Sequence, residues 1–242
     1  MTNVVPPIKK ELIVKTTPAR AFAIFTDGID TWWPREHHIG KSPMKRTLIE
    51  PRQGGRWYAI SEDGSECDVG RVLAWEPPNR LVLAWQITAN WAFDPSFVTE
   101  IEVRFAPLGP KSTAVSFEHR LLERYGEPAA ALRTRLDDPK GWHVTLDTYA
   151  RVAGTKAVVF YESSAEVMQL APLHFPAHKA RVDAFHERGE LLAVGTYADP
   201  REGSMAVFTD RTAAAAFVAA DPFVLHGVVA KHTIKDWKET LL

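Results

Sequence analysis

Tryptophan is distributed unevenly along this chain of 242 residues, and the unevenness constrains the fold more than any other feature. Seven of the eight tryptophans lie between Trp32 and Trp142, and only Trp237 lies beyond them. Large aromatic side chains dominate the core wherever they cluster. Since a chain of this length can form one domain or two, the distribution predicts two domains with different cores, over residues 1–153 and 154–242.

The composition is that of a globular protein, with 45% hydrophobic and 24% charged residues. A formal net charge of −1 provides no electrostatic footprint for nucleic acid, so we predict no nucleic-acid partner. The first residues lack the basic start and apolar run of a leader, and no window approaches the roughly 20 apolar residues of a membrane span. We therefore expect a cytoplasmic protein that has no membrane partner.

Neither a metal nor a cofactor is expected from the motifs. The single cysteine, Cys67, excludes an internal disulfide and a multi-cysteine metal site. His37 and His38 are adjacent, but without a third suitable ligand nearby they indicate a solvated loop rather than a metal site. The phosphate-binding patterns GxGxxG and GxxxxGK[ST] do not occur.

Alternating apolar residues in the first domain predict an antiparallel sheet. The predicted strands cover residues 8–16, 81–87, 100–105 and 115–119, with His119 pointing inward. Thr17 and Pro18 predict the start of a short helix. A final helix through Trp142, Leu146 and Tyr149 has an apolar stripe that can cover the concave side of the sheet. These elements predict an α+β helix-grip domain.

Five motifs follow one another in this domain. They are Trp32-Trp33-Pro34, Gly54-Gly55-Arg56-Trp57, the stretch from Gly70 to Pro78 that contains Trp75-Glu76-Pro77-Pro78, Arg80-Leu81-Val82, and Gly141-Trp142. As a set they resemble the family of the activator of Hsp90 ATPase homologue, within the START-like (SRPBCC) superfamily, over about residues 8–152. The resemblance implies a curved sheet around a long helix, often enclosing an apolar ligand cavity. The family name also offers chaperone accessory activity as a candidate function.

Large flat side chains could line such a cavity, because they provide apolar area and an occasional N–H group to orient a ligand. The candidates for ligand binding are Trp57, Trp75, Trp85, Trp91, Phe93, Phe97, His119 and Trp142. The loop Thr88–Ser96 is the best candidate for the rim. The alternative for each tryptophan is core packing, and for His119 it is a core histidine hydrogen-bonded to a neighbouring backbone group.

The second domain has the pattern βαββαβ, which predicts a ferredoxin-like arrangement of a four-stranded antiparallel sheet with two helices on one face. The predicted elements are strands over 156–161, 191–197, 204–208 and 227–234, a helix through Val182 and Phe185 to Gly189, and a helix over 212–219. Because two helices cover only one face of the sheet, we expect the other face to be covered, most simply in a homodimer.

The segment Phe175-Pro-Ala-His178 places an imidazole on a short helix that faces the sheet. A carboxylate from Asp199 or Asp221 could hold one tautomer and leave the other nitrogen free to move a proton. Both aspartates precede proline, so each could instead form a turn, and His178 could be a satisfied core histidine. His174 and His186 are expected to face solvent.

His178, the spacing of Gly189 and Gly195, and Asp221-Pro222-Phe223 together resemble the YciI-like family over residues 155–242. The resemblance implies a dimeric α+β-barrel protein that packs sheet against sheet, with a histidine and an aspartate in a pocket proposed as catalytic. Related members include a dehydrochlorinase of chlorinated aromatic breakdown. Many members continue from the glycine strand into a Gly-Pro step, whereas this chain has Gly195-Thr196-Tyr197.

Two functions follow as leading hypotheses. The first is an enzyme that binds a small apolar or aromatic molecule and uses His178 with an aspartate for proton transfer, elimination or hydrolysis. The second is a non-catalytic protein that binds a lipid or aromatic metabolite and dimerises through its second domain. Chaperone accessory activity is a third hypothesis.

Overall fold

A computed structural model describes residues 5–237, and the chain divides between Ala153 and Gly154 into two compact units. Both units combine helices with antiparallel sheets, which confirms the α+β class. Among the described residues, no helix is long and apolar enough to cross a membrane.

The first unit is built on a seven-stranded antiparallel sheet. Its strands are β1 Ile8–Val14, β2 Met44–Ile49, β3 Arg56–Ser61, β4 Glu66–Glu76, β5 Arg80–Trp85, β6 Thr99–Gly109 and β7 Ser112–Arg120. They lie in the order β1-β7-β6-β5-β4-β3-β2. Every second residue of β7 is buried, as its alternating sequence predicted, and His119 lies on the buried face.

Helices and short turns accompany this sheet. They are α1 Pro18–Phe25, α2 Ala129–Leu136, α3 Val144–Gly154, 3-10 turns at Ile29–Thr31 and Leu122–Tyr125, and a π-helical turn at Pro139–His143. Thr17 caps α1, as predicted, by accepting a hydrogen bond from the backbone N–H of Arg20. The final helix differs from its prediction, because Trp142 lies in the π-helical turn that precedes α3. Non-helical backbone angles at Gly141 form a kink within this turn, one residue before Trp142.

A closely packed glycine positions Trp85, one of the predicted ligand-binding residues of this unit. Gly70 of β4 pairs with Trp85 of β5, and a Cβ atom at Gly70 would lie 1.7 Å from the carbonyl oxygen of Ala84. Only a residue without a side chain allows the two strands to approach this closely. Gly70, the first residue of the Gly70–Pro78 motif, therefore determines how closely the strand that carries Trp85 can approach β4.

His119 and Trp142 join the helical layer to the sheet through a buried hydrogen bond. The Trp142 Nε1–H group donates to His119 Nδ1 at 3.2 Å, so His119 Nε2 carries the hydrogen and donates to Thr99 Oγ1 at 2.8 Å. His119 is 0% exposed, and burial lowers its pKa to about 3. It is a satisfied neutral core histidine, whose partners are side chains and not the backbone group considered from the sequence.

The described part of the second unit, residues 154–237, has a four-stranded sheet and three α-helices. Its elements are β8 Lys156–Ser163, α4 Val167–Glu187, β9 Leu191–Thr196, a 3-10 turn Pro200–Glu202, β10 Ser204–Phe208, α5 Arg211–Ala219, α6 Pro222–Leu225 and β11 Val229–Trp237. The strand order is β11-β8-β10-β9, and every pair is antiparallel. The succession of strands and long helices is the predicted one, with α6 as an additional short turn of helix.

Helix α4 is longer than the short helix predicted around His178. It contains 21 residues and continues through Pro172 and Pro176. An internal proline removes one helical hydrogen bond and costs about 3 kcal/mol, which is why the sequence indicated a shorter helix. The buried side chains of Val167 and Phe185 hold the two ends of α4 in the core, and this packing outweighs the local cost.

We expect the stability of the first unit to depend on the protonation of His119. The pKa of this histidine is about 3 in the folded chain and about 6.5 when unfolded, so the unfolded state binds more protons below about pH 6.5. The contribution of neutral His119 to the free energy of unfolding is fully present above pH 6.5 and is lost as the pH falls towards 3. The measurement is urea unfolding followed by tryptophan fluorescence. Between pH 7 and 5.5 the free energy of unfolding should fall, and His119 should account for up to about 1.4 kcal/mol of this fall per pH unit.

His119→Gln should be less stable at pH 7 and should have a flatter pH dependence than the wild type. The exposed residue His186 provides the control, since His186→Gln should keep the wild-type slope. Parallel pH profiles for the wild type and His119→Gln would contradict this assignment.

Candidate functional site

The first unit contains a cavity of about 930 Å³, a size within the range of roughly 300–1,000 Å³ that is typical of small-molecule sites. The aromatic lining residues are Trp33, Trp85, Trp91 and Trp142, and the aliphatic ones include Ile39, Val69, Ile87 and Leu136. Polar groups also line it, namely Glu36, His37, His38, Thr134, Arg135, Asp138, Lys140 and Thr145. The lining therefore combines the aromatic and aliphatic side chains that are usual in a ligand site with a larger set of polar and charged groups.

Three of the predicted ligand-binding residues line this cavity, namely Trp85, Trp91 and Trp142. The remaining five, Trp57, Trp75, Phe93, Phe97 and His119, do not. Trp57 is buried among other indoles, Trp75 packs edge-on against Phe22, and Phe97 contacts the ring of Tyr125. Phe93 packs against the core of the unit. For these aromatic residues the structure matches the core-packing alternative.

Trp91 belongs to the loop that was predicted to form the rim. Its φ angle is +58°, a left-handed conformation that is uncommon for a bulky residue. The backbone N–H of Trp91 donates to Thr88 O at 3.0 Å, and the guanidinium of Arg135 lies 4.9 Å from the centre of the indole ring. These contacts hold an unfavourable backbone conformation that places a large aromatic residue on the cavity wall.

His37 and His38 lie in a loop, as the sequence indicated. The cavity position was not predicted, since both residues are half-buried and line the cavity. Trp33 provides the physical reason, because its Nε1–H group donates to the carbonyl oxygen of His37 at 2.8 Å and holds this segment against the core. The adjacent pair of indoles in the sequence was the signal for such an anchor. No group of three or more potential ligands is arranged for a metal ion within residues 5–237.

The second unit brings His178 and Asp221 into contact. His178 Nδ1 lies 2.7 Å from Asp221 Oδ1, and the Tyr161 hydroxyl donates to Asp221 Oδ2 at 2.7 Å. The backbone N–H of Phe223 also donates to Asp221 Oδ1, because Asp221 caps α6. The Phe223 ring stacks on the imidazole with ring centres 3.9 Å apart. Asp221 therefore performs the helix-capping role and contacts His178 at the same time.

The charge state of Asp221 follows from its surroundings. Asp221 is 0% exposed, and burial alone would raise its pKa. Its neighbours, chiefly through the hydrogen bonds from His178 and Tyr161, lower the pKa by more than burial raises it, so the net shift is downward. Burial and the neighbouring Asp221 raise the pKa of Tyr161, so its phenol stays protonated. The ionised carboxylate accepts from Nδ1–H of His178.

The second nitrogen of this imidazole is available. The His178 side chain is 12% exposed, and its Nε2 atom has no hydrogen-bond partner among the described residues. With Nδ1 carrying the hydrogen, Nε2 keeps its lone pair. An imidazole that is oriented by a carboxylate and has one free nitrogen can accept a proton from a bound molecule.

Asp199, the other predicted partner, does not join this group. Its side chain accepts from the backbone N–H of Arg201, which begins the 3-10 turn, and it forms an ion pair with the Arg201 guanidinium. It therefore has the turn role that a residue before proline commonly takes. His174 was expected to face solvent, but it is half-buried and stacks on His226 at 4.1 Å, whereas His186 is exposed as expected.

Comparisons with family models match both units. The model described as Activator of Hsp90 ATPase homolog 1-like protein matches residues 15–153. The model described as YCII-related domain matches residues 156–238. A search of curated proteins found no match.

Solved structures resemble the chain over about three fifths of its length. The anthrahydroquino-gamma-pyrone synthase Txn09, complexed with SUM, has 35% identity and a TM-score of 0.46, with 61% of this chain and 97% of that chain covered. The self-sacrificing resistance protein CalC from Micromonospora echinospora has 30% identity and a TM-score of 0.47, with 60% and 92% covered. Protein NE0264 from Nitrosomonas europaea has 12% identity and a TM-score of 0.44, with 60% and 92% covered.

Proposed function

The chain belongs to the Activator of Hsp90 ATPase homolog 1-like protein family, as the motifs of its first domain predicted, and on this basis we propose that it binds a small apolar or aromatic molecule. The observation that carries the proposal is the cavity of about 930 Å³ in the first unit. Four indoles line it, and flat aromatic walls favour flat aromatic ligands through stacking and edge contacts. The strained backbone of Trp91 places one of these indoles on the wall.

Trp91→Ala should weaken ligand binding without unfolding the protein, because Trp91 belongs to a loop and is only partly buried. Losing the contact of one large side chain should raise the dissociation constant by about 10-fold or more, taking roughly 1.5–3 kcal/mol for its burial. Isothermal titration calorimetry with the bicyclic aromatic ketone 2-tetralone measures this change. Trp237→Ala, in the second unit, is the control and should bind as the wild type does. Equal affinities of Trp91→Ala and wild type, or no binding by either, would contradict the proposal.

A second candidate function is favoured by the second unit, whose match to the YCII-related domain confirms the other resemblance predicted from sequence. We propose that His178 acts there as a general base in proton transfer, elimination or hydrolysis of a small molecule. The supporting observation is the hydrogen-bonded group of Tyr161, Asp221 and His178, in which both carboxylate oxygens are occupied and the imidazole is oriented. A buried carboxylate beside the imidazole would also stabilise the imidazolium that forms when Nε2 accepts a proton.

His178→Ala should abolish the conversion of small molecules by this unit while the fold is retained. General base catalysis typically increases a reaction rate by about 100- to 10,000-fold, so the loss of conversion should be detectable even in a mixture of molecules. The measurement is mass-spectrometric profiling of a small-molecule extract of the host, incubated with wild type, His178→Ala or the control His186→Ala. Species converted by the wild type and the control, but not by His178→Ala, support the base. If no species distinguishes the three proteins while a molecule is retained on purification, the non-catalytic binding hypothesis replaces this one.

We further propose that the second unit forms a homodimer through the free face of its sheet. The side chains of Ala157, Val159 and Tyr161 point to the helix-covered face and form the core of the unit. Residues in alternate positions point the other way, and Met205 and Trp237 remain 38% and 41% exposed. A sheet face with exposed large apolar side chains favours burial against a partner of the same shape.

Light scattering at micromolar concentration should give the mass of a dimer. Met205→Lys should shift the protein towards monomer, because it places a charge on the proposed interface. Val194→Lys is a matched control, since Val194 is also an exposed apolar residue of the sheet but pairs with Ala206 on the opposite face. A wild-type monomer, or equal effects of the two variants, would exclude this interface.

A further inference from the structure

We propose that His37 is a general base inside the cavity of the first unit, where it takes a proton from the carbon next to the carbonyl group of a bound aromatic ketone. The inference rests on the proposed binding of an aromatic molecule by this cavity. It is separate from His178, which belongs to the other unit.

Two hydrogen bonds hold His37 in place. Trp33 Nε1–H donates to the carbonyl oxygen of His37 at 2.8 Å, and the ring atom Nδ1 lies 3.1 Å from Thr145 Oγ1. The Thr145 hydroxyl also lies 3.1 Å from the carbonyl oxygen of Gly141, which can only accept a hydrogen bond. When the hydroxyl hydrogen points to Gly141, Thr145 Oγ1 accepts from His37, so Nδ1 carries the hydrogen and Nε2 keeps its lone pair.

The lone pair of Nε2 is available to a ligand. His37 lines the cavity and is half-buried, and Nε2 has no hydrogen-bond partner among residues 5–237. Thr145, which is buried, fixes the tautomer from the opposite side of the ring. A positioned imidazole with one free nitrogen beside an apolar cavity meets the geometric requirement for a general base.

The same cavity holds donors that could stabilise an oxyanion. The indole N–H groups of Trp85 and Trp91 are buried and have no acceptor within the described part of the chain. Arg135 also lines the cavity, and among the described residues it has no carboxylate partner. Buried donors without an acceptor favour a ligand that carries an acceptor oxygen, and a carbonyl oxygen that gains charge is a stronger acceptor than a neutral one.

These groups define a balanced proton transfer. The C–H bond next to the carbonyl breaks and its proton goes to His37 Nε2. Its electron pair forms a carbon–carbon double bond while the carbonyl π electrons move to oxygen, which produces an enolate. Indole N–H groups or the Arg135 guanidinium hydrogen-bond to the enolate oxygen. Return of a proton from the imidazolium to carbon restores the ketone, so the exchange consumes no oxidant or reductant.

The test is hydrogen–deuterium exchange of 2-tetralone in D2O, followed by proton NMR with the full-length protein. The wild type should exchange the protons next to the carbonyl with saturable kinetics. His37→Gln should lower the rate constant at saturation by about 100-fold or more, while its dissociation constant from calorimetry stays close to the wild-type value. His186→Gln, at an exposed histidine of the second unit, is the matched control and should exchange as the wild type does.

Thr145→Val provides a second variant with nearly unchanged side-chain shape. As a positioning residue, Thr145 should influence catalysis and not binding. Its replacement by valine should lower the rate constant at saturation by about 10-fold, because His37 loses the hydrogen bond at Nδ1. KM should stay almost unchanged, because the shape of the cavity wall is kept. A purely structural role for Thr145 would change stability or KM instead.

The outcomes separate this inference from the proposed binding function. If 2-tetralone binds but exchanges no faster than with an equal concentration of free imidazole, the base is overturned and the binding function stands. Wild-type exchange by His37→Gln, or loss of exchange in His178→Ala alone, also overturns it. If 2-tetralone does not bind, the binding function fails together with the inference.

Discussion

The core packing and the cavity of the first unit both depend on the hydrogen bond from Trp142 to His119. It joins the turn before α3 to strand β7, and the Trp142 ring also contacts Trp85 and Phe117. Because His119 is fully buried, an unpaired ring nitrogen would be costly there, so the indole N–H both satisfies the histidine and fixes the distance between helix and sheet. Trp142 and Trp85 then form part of the cavity wall. Core packing and cavity shape are therefore set by the same contacts.

Each unit contains one proposed base, His37 or His178, whose imidazole is held through Nδ1, and the two partners differ in charge. Asp221 is a buried carboxylate, and it can both orient the His178 ring and stabilise a positive charge on it. Thr145 is neutral, and it can fix the tautomer of His37 without stabilising an imidazolium. The cavity beside His37 also provides indole walls and the unpaired N–H donors of Trp85 and Trp91, which could stabilise a developing negative charge. The two histidines are thus suited to different demands on a proton acceptor.

Sequence patterns predicted several of these features because they depend on local spacing. Alternation of apolar residues placed His119 on the inner face of β7. The helical spacing from His178 to Phe185 predicted an imidazole against the sheet, whereas its ring contacts Phe217 of α5 and Phe223 of α6. The patterns failed where a distant contact decides. Asp199 and Asp221 both precede proline, and nothing in their local sequence indicates which one approaches α4. Similarly, all the predicted tryptophans are large and apolar, so the sequence does not distinguish the packed Trp57 from the cavity residue Trp91.

The sequence by itself determined the two-domain organisation, the two family resemblances, the α+β class and the histidine on α4, because composition, motif order and periodicity are properties of short segments. Only the tertiary structure decided that His37 lines a cavity, that Asp221 meets both His178 and Tyr161, and that α4 continues through two prolines. Each of these depends on groups brought together from distant parts of the chain. The energy of such contacts is comparable to, or larger than, the local preferences that a sequence reveals, and it therefore overrides them.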